Sequence, residues 1–334
     1  METVLVTGAT GFIGKYVVAK LLEKGYSVRC LVRSVDKLVD WDLLDQVSVV
    51  EGDVKDPSTL REAVTAVDAV IHLAAIGHVS SVSEEAFRSF VDVNEIGTKN
   101  LIDACREYAN LKVFVHFSST AAMGPVASLV LDENSRPNPM TPYQKSKLRS
   151  ETVVLDAFRD HAFPALILRP CMVYGVGGLG EFHKFYRLMI KSRFPRVGLG
   201  KKLTPIVHVS DVADAAVRAM ENGRPGESYI VASAHSYPMD QIRKYIMKSA
   251  GVHAFYPYVP GWVAMLGAKI IEKISAVRGH EPVVTYRNIR STVKNRTFCI
   301  DKAMKELGYS PQVTLDKGID ETIQWYHELE TRKG

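Results

Sequence analysis

Tyr143 and Lys147 stand four residues apart in the segment Thr141-Pro-Tyr-Gln-Lys-Ser-Lys147. The Thr-Pro pair reads as a helix start, and residues four apart on a helix share a face, so a phenol and an ammonium would enter one site. A free tyrosine ionises near pH ~10 and exchanges protons poorly at neutral pH. A neighbouring ammonium favours the phenolate and helps to bring it into working range as an acid/base. Lys145 and Arg149 fall on other faces and are expected in solvent. Upstream, Val113-Phe-Val-His-Phe-Ser118-Ser119-Thr120 reads as a strand running into small hydroxyl side chains. One such hydroxyl can hydrogen-bond a reacting carbonyl oxygen while tyrosine supplies the proton. A tyrosine–lysine pair alone is common by chance and gains its meaning from what surrounds it.

A second cluster lies at the N-terminus. Thr7-Gly-Ala-Thr-Gly-Phe-Ile-Gly14 follows the apolar run Val4-Leu5-Val6 and opens an amphipathic segment. Gly8 permits a tight turn, Gly11 lets the backbone approach a pyrophosphate, and Gly14 allows close helix–strand packing. Thr10, Phe12 and Ile13 supply first-turn backbone around the phosphates, where helix N–H groups and dipole favour an anion. The spacing GxxGxxG is wider than the common dinucleotide fingerprint, and its position between strand and helix carries the assignment. The second strand ends in Arg33-Ser34 with Lys37 following. An acid at that strand end would select NAD, whereas arginine suits a 2′-phosphate. NADP (NADPH) is therefore expected over NAD, and its nicotinium charge would join Lys147 in favouring the Tyr143 phenolate.

The elements that must position these groups alternate. Strands are predicted over 4–6, 27–32, 47–51, 69–73, 113–117, 165–168, 205–209 and 229–232, with helices over 12–24, 182–193 and 212–220 and helical segments between most of the earlier strands. Gly25 closes the first helix. This rhythm implies an α/β fold, a Rossmann-type doubly wound parallel sheet, with a smaller, mostly helical C-terminal substrate domain. The expected division is 1–170 with 204–235 for the NADP-binding domain, and 171–203 with 236–334 for the substrate domain. The glycine cluster Gly175, Gly177, Gly178 and Gly180 opens that second domain.

Composition excludes several classes. The chain has 334 residues, 46% of them apolar and 24% charged, with mean hydropathy near zero and a net charge of +5. Disorder and disulfide scaffolds are excluded, and nucleic-acid binding is not expected. Four dispersed cysteines (Cys30, Cys105, Cys171, Cys299) without metal-ligand spacing predict a reduced cytoplasmic location and no metal site. The N-terminus lacks the pattern of a secretory signal. The apolar stretch 256–274 is too short and interrupted for a spanning helix. It reads as a core or lid helix, with peripheral membrane contact through Trp262 and Met265 as the alternative.

Taken in order, these motifs resemble those of the extended short-chain dehydrogenases/reductases, the NAD-dependent epimerase/dehydratase superfamily, over essentially the whole chain. The matching pieces are TGATGFIG at 7–14, Gly52-Asp53-Val54, His72-Leu-Ala-Ala75, Asn94, Ser118-Ser119, Tyr143/Lys147 and Arg169-Pro170 through Val173-Tyr-Gly175. The resemblance implies that Asp53 and Val54 hold the adenine and that Leu73, Ala74 and Ala75 line the cofactor's path. It makes Ser119 the substrate-orienting hydroxyl, Tyr143 the acid/base, Lys147 the ligand of the nicotinamide ribose, and Asn94 the holder of a relay water. Pro170 and Val173 would contact the carboxamide. A homodimer through helices around 85–109 and 141–161 is implied in the same way.

Two departures bear on substrate. Nucleotide-sugar epimerases carry an arginine four residues before their His-Val, and here that place is Thr204 before His208-Val209. Sugar dehydratases place Asp-Glu after the catalytic threonine, and here Thr120-Ala121 stand there. The tail Phe298-Cys-Ile-Asp-Lys-Ala303, Leu307-Gly-Tyr-Ser-Pro311 and Trp325 looks closer to the 3β-hydroxysteroid dehydrogenase and dihydroflavonol reductase branch. The leading expectation is an NADP-dependent oxidoreductase interconverting a secondary alcohol and a ketone on a small, largely apolar substrate. The alternatives are a nucleotide-sugar epimerase or reductase, with Lys191, Arg193, Arg196, Lys201 and Lys202 meeting the diphosphate, and a non-catalytic NADP-sensing protein.

Overall fold

Successive strand residues send apolar side chains to opposite faces, and the central sheet follows from that alternation. Val4, Val6, Ile71, Val115, Leu166 and Leu168 enter one core, while Leu5, Val70, Phe114 and Ile167 enter the other. A computed structural model describes residues 2–38, 41–77, 84–125, 130–190, 196–197, 202–252, 258–277 and 297–332. Seven strands form the sheet: β1 (Thr3–Thr7), β2 (Ser27–Val32), β3 (Val47–Glu51), β4 (Ala69–His72), β5 (Val113–Phe117), β6 (Ala165–Pro170) and β9 (Ser228–Val231). Their order is β9-β6-β5-β4-β1-β2-β3, and all neighbours are parallel. The chain runs outward from β1 in both directions, so the switch point lies between β1 and β4, where such sheets open a crevice for ligands.

Helices cover both faces. α1 (Phe12–Glu23) and α7 (Val209–Asn222) pack on one, through Val17, Val18, Leu21, Val212 and Ala216. α2 (Leu60–Val64), α4 (Gly97–Tyr108) and α5 (Pro142–His161) cover the other. α1 ends as expected: Gly25 has φ +84°, and its N–H and that of Tyr26 reach back to Leu22 O and Leu21 O. The helix predicted around 85–109 is interrupted. α3 (Glu84–Phe90) passes through a π-helical turn, Val91–Ile96, before α4 begins, and Asn94 is the buried residue of that turn. π-turns recur at functional positions because they re-aim one side chain without ending the helix.

The expected strand over 205–209 forms but lies outside the main sheet. β8 (Ile206–His208) pairs in parallel with β7 (Met172–Tyr174). Ile206 faces the C-terminal core and Val207 the sheet's core, so this short pair straddles the predicted division. The C-terminal core joins Tyr174, Phe182, Tyr186, Ile242, Ile246, Leu315, Ile319, Ile323 and Tyr326. It is built by α6 (Glu181–Ile190), α8 (Met239–Ser249) and α10 (Leu315–Thr331). The stretch read as core or lid becomes α9 (Gly261–Val277), whose Trp262, Leu266, Ile270 and Ile274 are exposed. Among the described residues, no helix is long and apolar enough to cross a membrane.

Candidate active site

α5 positions the tyrosine–lysine pair, and its start is closed on both sides. Thr141 accepts the Gln144 N–H at 3.1 Å, the Gln144 side chain accepts the Thr141 N–H at 3.2 Å, and Pro142 occupies the first turn. The fixed start sets the phase that turns Tyr143 and Lys147 toward the carboxyl end of β5. Lys147 is buried and its Nζ donates to Phe117 O at 2.8 Å, one residue before Ser118. Ser119 follows, its Oγ accepting the Ala121 N–H at 3.1 Å and facing Pro170 O at 3.5 Å. The Tyr143 phenol shares a side-chain hydrogen bond with Ser119, and Lys147 reaches the end of the same strand through Phe117 O.

At the tyrosine the protein's own groups act without the nicotinium charge that the expectation also invoked. Burial raises the Tyr143 phenol above its ordinary value, the Ser119 hydrogen bond opposes that, and Glu181 adds to it. The lysine ammonium is engaged with a backbone carbonyl and does not by itself bring the phenol into the neutral range. Burial in turn draws Lys147 down to about 8, with the Glu151 charge opposing.

Around this pair lies a buried hydrogen-bond chain whose direction is fixed by its ends. Thr98 Oγ1 donates to Asn94 O at 2.7 Å and so accepts from His72 Nε2 at 3.0 Å. His72 Nδ1 then accepts from Thr7 Oγ1 at 2.7 Å, which itself accepts the Ala74 N–H at 3.1 Å. Burial pushes His72 down to about 3, with Lys147 adding to the effect, so its ring is neutral. His116 is neutral for the same reasons; its Nε2 meets Ser150 Oγ at 3.0 Å, and Ser150 donates to Lys147 O at 2.8 Å. Asn94 clamps Ile76, taking its N–H at 2.8 Å and donating to its O at 3.2 Å, and its other amide hydrogen reaches Ser146 on α5 at 3.0 Å. Asn94 thus ties the segment after β4 to α5.

The residues assigned to a dinucleotide lie along the carboxyl edge of the sheet. Gly8 has φ +73°, and a Cβ there would come within 2.8 Å of Ala74 N and of Leu73 C, which brings Leu73–Ala75 against the turn. At Gly14 a Cβ would stand 2.2 Å from Gly8 O. Gly11 caps α1 with extended backbone, with no side chain capping the helix and no acidic residue in its first turn. Those first-turn donors fit a pyrophosphate. Phe12 lies against Gly177 and Gly178, and Tyr16 Oη donates to Val176 O at 3.0 Å, so the second glycine cluster crosses the start of α1 beyond Thr10 and Ile13. Asp53 accepts the Lys55 N–H at 2.9 Å, and Val54 packs against Gly97. Arg33 is exposed beyond β2, without a polar partner among the described residues. Ser34 donates to Asp36 at 3.2 Å rather than standing open. Val173 is half-buried on β7. The Lys37 side chain, Tyr256 and the basic residues Lys191, Arg193 and Lys201 lie outside the described residues, as does the side chain of Arg196. No group of acidic, cysteine or histidine side chains among the described residues could hold a metal ion.

Sequence reasoning missed Glu151, which is buried and bonded to Ser118 and Arg169, and the roles of His72 and Ser146. Glu151 had a signal: it repeats the four-residue step after Lys147. The histidine had none, because a strand-end histidine is identical in sequence whether it is solvated or buried.

A sheet switch point edged by a glycine turn, with a bonded serine–tyrosine pair and a buried lysine at the end of the fifth strand, is what a dinucleotide-dependent oxidoreductase of the extended short-chain type requires. The profile of the NAD dependent epimerase/dehydratase family matches residues 4–232, and the chain belongs to that family. It is 27% identical to a 4-hydroxy-2-methyl-3-oxo-4-farnesyl-3,4-dihydroquinoline-1-oxide ketoreductase of Stigmatella aurantiaca, covering 94% of each chain. It is also 27% identical to the dTDP-D-glucose 4,6-dehydratase of Homo sapiens, over 98% of this chain and 90% of that one. A 3-beta-hydroxysteroid dehydrogenase of Mycolicibacterium neoaurum is 26% identical over 98% of this chain and 92% of its own. Among solved structures, gox2253 superposes with a TM-score of 0.81 at 29% identity, covering 98% of this chain and 99% of that one. The chain is accordingly an NAD(P)-dependent enzyme of the extended short-chain class.

Proposed function

We propose that this enzyme is an NADP-dependent reductase or dehydrogenase interconverting a secondary alcohol and a ketone on a small, largely apolar substrate. The observation that carries the reading is the meeting of Ser119 and Tyr143 beside Lys147, with Ala121 standing where a dehydratase needs an acid. Bound nicotinamide supplies the hydride donor or acceptor at the carbonyl carbon. Ser119 polarises the oxygen, Tyr143 donates or takes the proton, and Lys147 holds the ribose side of the site. The protein alone leaves the phenol protonated, which suits donation to a ketone. Asp53, Val54 and Leu73–Ala75 line the nucleotide's path, Pro170 and Val173 face its amide end, and Arg33 meets the 2′-phosphate. Similarity to a reductase of a farnesylated quinoline and to a steroid dehydrogenase supports an apolar substrate. A homodimer through α4 and α5 belongs to the same reading.

The sugar-nucleotide reading is favoured by the dehydratase relatives, which are as similar as the ketoreductase. One comparison separates the two. NADPH consumption is followed over a panel of apolar ketones and separately with UDP or dTDP as inhibitors. The proposal expects turnover of apolar ketones and no competition by nucleoside diphosphates at saturating NADPH. Competitive inhibition by UDP or dTDP would transfer the assignment to the sugar branch.

A further inference from the structure

Glu151 lies one helical turn beyond Lys147 and is buried together with its partners. Its Oε1 accepts from Ser118 Oγ at 2.5 Å and from Arg169 Nε at 2.9 Å, and its Oε2 accepts from Arg169 Nη2 at 2.7 Å. Arg169 comes from the end of β6, and its Nη1 reaches Glu133 O at 3.4 Å. Three pieces of the site therefore converge on one carboxylate: the helix of Tyr143 and Lys147, the turn that carries Ser119, and the strand whose Pro170 faces Ser119. A buried ion pair is a poor stabiliser, since apolar residues of similar volume avoid the desolvation of both charges. Charge at this position therefore calls for a reason other than stability.

The reason is found in what surrounds Lys147. Among the described residues, the ionisable groups around it are Tyr143 and Glu151, four residues before and after it on its own helix, His72 from β4, His116 from β5, and Arg169 from β6 through Glu151. Both histidines are neutral and the phenol is protonated. Glu151 is the one anion of this set, standing between two cations.

We propose that Glu151, gripped by Arg169, is a positioning residue of the active site: its carboxylate is the counter-charge that keeps Lys147 an ammonium, and its contact with Ser118 seats the turn that carries Ser119. The consequence for cofactor rests on the reading of Lys147 above; the consequence for Lys147 itself does not. Removing the carboxylate's charge leaves Arg169 facing Lys147 uncompensated and lowers the pH at which the ammonium is lost. Removing the Arg169 charge does the reverse.

The test uses the full chain with Glu151→Gln and, separately, Arg169→Gln. NADPH affinity is measured by fluorescence from about pH 6 to about pH 9, and ionisation of Lys147 itself is followed without cofactor by nuclear magnetic resonance of its ε-carbon, assigned against Lys147→Met. The alkaline loss of NADPH affinity should move down by about one pH unit in Glu151→Gln and upward in Arg169→Gln, with affinity at the acid end within about twofold of the parent. The Lys147 resonance should titrate at lower pH in Glu151→Gln and at higher pH in Arg169→Gln. That second readout needs no cofactor, so it separates failure of this proposal from failure of the NADP assignment. Glu151→Asp, which keeps the charge, should leave both midpoints near those of the parent. If one glutamine variant fails to fold, the shift in the other decides. Unmoved midpoints with loss of thermal stability alone, or failure of both variants to fold, would make the pair structural and overturn the proposal.

Discussion

The carboxyl end of the sheet and the outer face of α9 treat their side chains in opposite ways. At the sheet's end, Lys147, Glu151, Arg169 and His72 are buried, and hydrogen bonds hold each of them. On α9, Trp262, Leu266, Ile270 and Ile274 recur every fourth residue and stay 68%, 55%, 50% and 46% exposed. Polar groups inside and apolar groups outside both reverse the usual partition. The first reversal is compensated within the chain, since a buried polar group without a partner costs far more than the pair contributes. The second needs no compensation, because exposed apolar surface forgoes burial energy without leaving an unmet bond. Intolerance to substitution should therefore concentrate at the sheet's end.

Tyr143→Phe should show the largest effect. It removes the proposed proton donor and little surface, so turnover should fall ~10²-fold or more while NADPH affinity stays within about twofold. Steady-state kinetics with a fluorescence titration checks this, and near-parental turnover would remove Tyr143 from the mechanism. Gly14→Ala probes the same end through packing alone. The added carbon would stand 2.2 Å from Gly8 O and 2.8 Å from Ala9 Cα, both backbone atoms. Overpacking against atoms that cannot rotate away should cost about 1–3 kcal/mol, read from urea unfolding.

Acid sharpens the contrast further. His72, pushed to about 3, and His116, lowered well below its ordinary value, stay neutral in the folded chain yet take up a proton when unfolded below pH ~6.5. The unfolded state then binds more protons, so stability present above that pH is lost as pH falls. Each histidine should contribute a slope of ~1.4 kcal/mol per pH unit between the unfolded and folded values. Melting temperatures from about pH 7 to about pH 5 should fall, and His116→Gln should flatten the decline; an equal slope would place that ring in water. Arg33→Asp should exchange cofactor preference by about tenfold toward NADH, or ~1.4 kcal/mol, measured by titrating both cofactors. The smallest effect belongs to α9. Leu266→Ser and Ile270→Ser should each change stability by no more than ~0.5 kcal/mol in the isolated chain, and a loss of several times that would mean the face is covered.

Legibility followed the range of the interactions. The strands of the parallel sheet, the caps of α1 and α5 and the glycine turn were readable because each depends on neighbours within a few residues. The Tyr143–Lys147 pair was readable because helical spacing fixes a shared face. The pairing of β7 with β8 outside the main sheet was not, because a short β-branched run carries no mark of its partner. Nor was the π-turn at Asn94, whose side chain is held by partners outside the turn, Ile76 and Ser146, that no local pattern in Val91–Ile96 announces.

By itself, the order of residues determined that this is a strand–helix alternation, with a glycine turn between the first strand and helix, a tyrosine and a lysine on one helix face, and a serine pair after the fifth strand. Tertiary structure decided the electrical state of that centre. Whether His72 is charged, whether Lys147 titrates near neutrality and whether Tyr143 is lowered or raised all depend on burial and on groups tens of residues away. Desolvation and Coulomb attraction act through space, and a sequence records only distance along the chain.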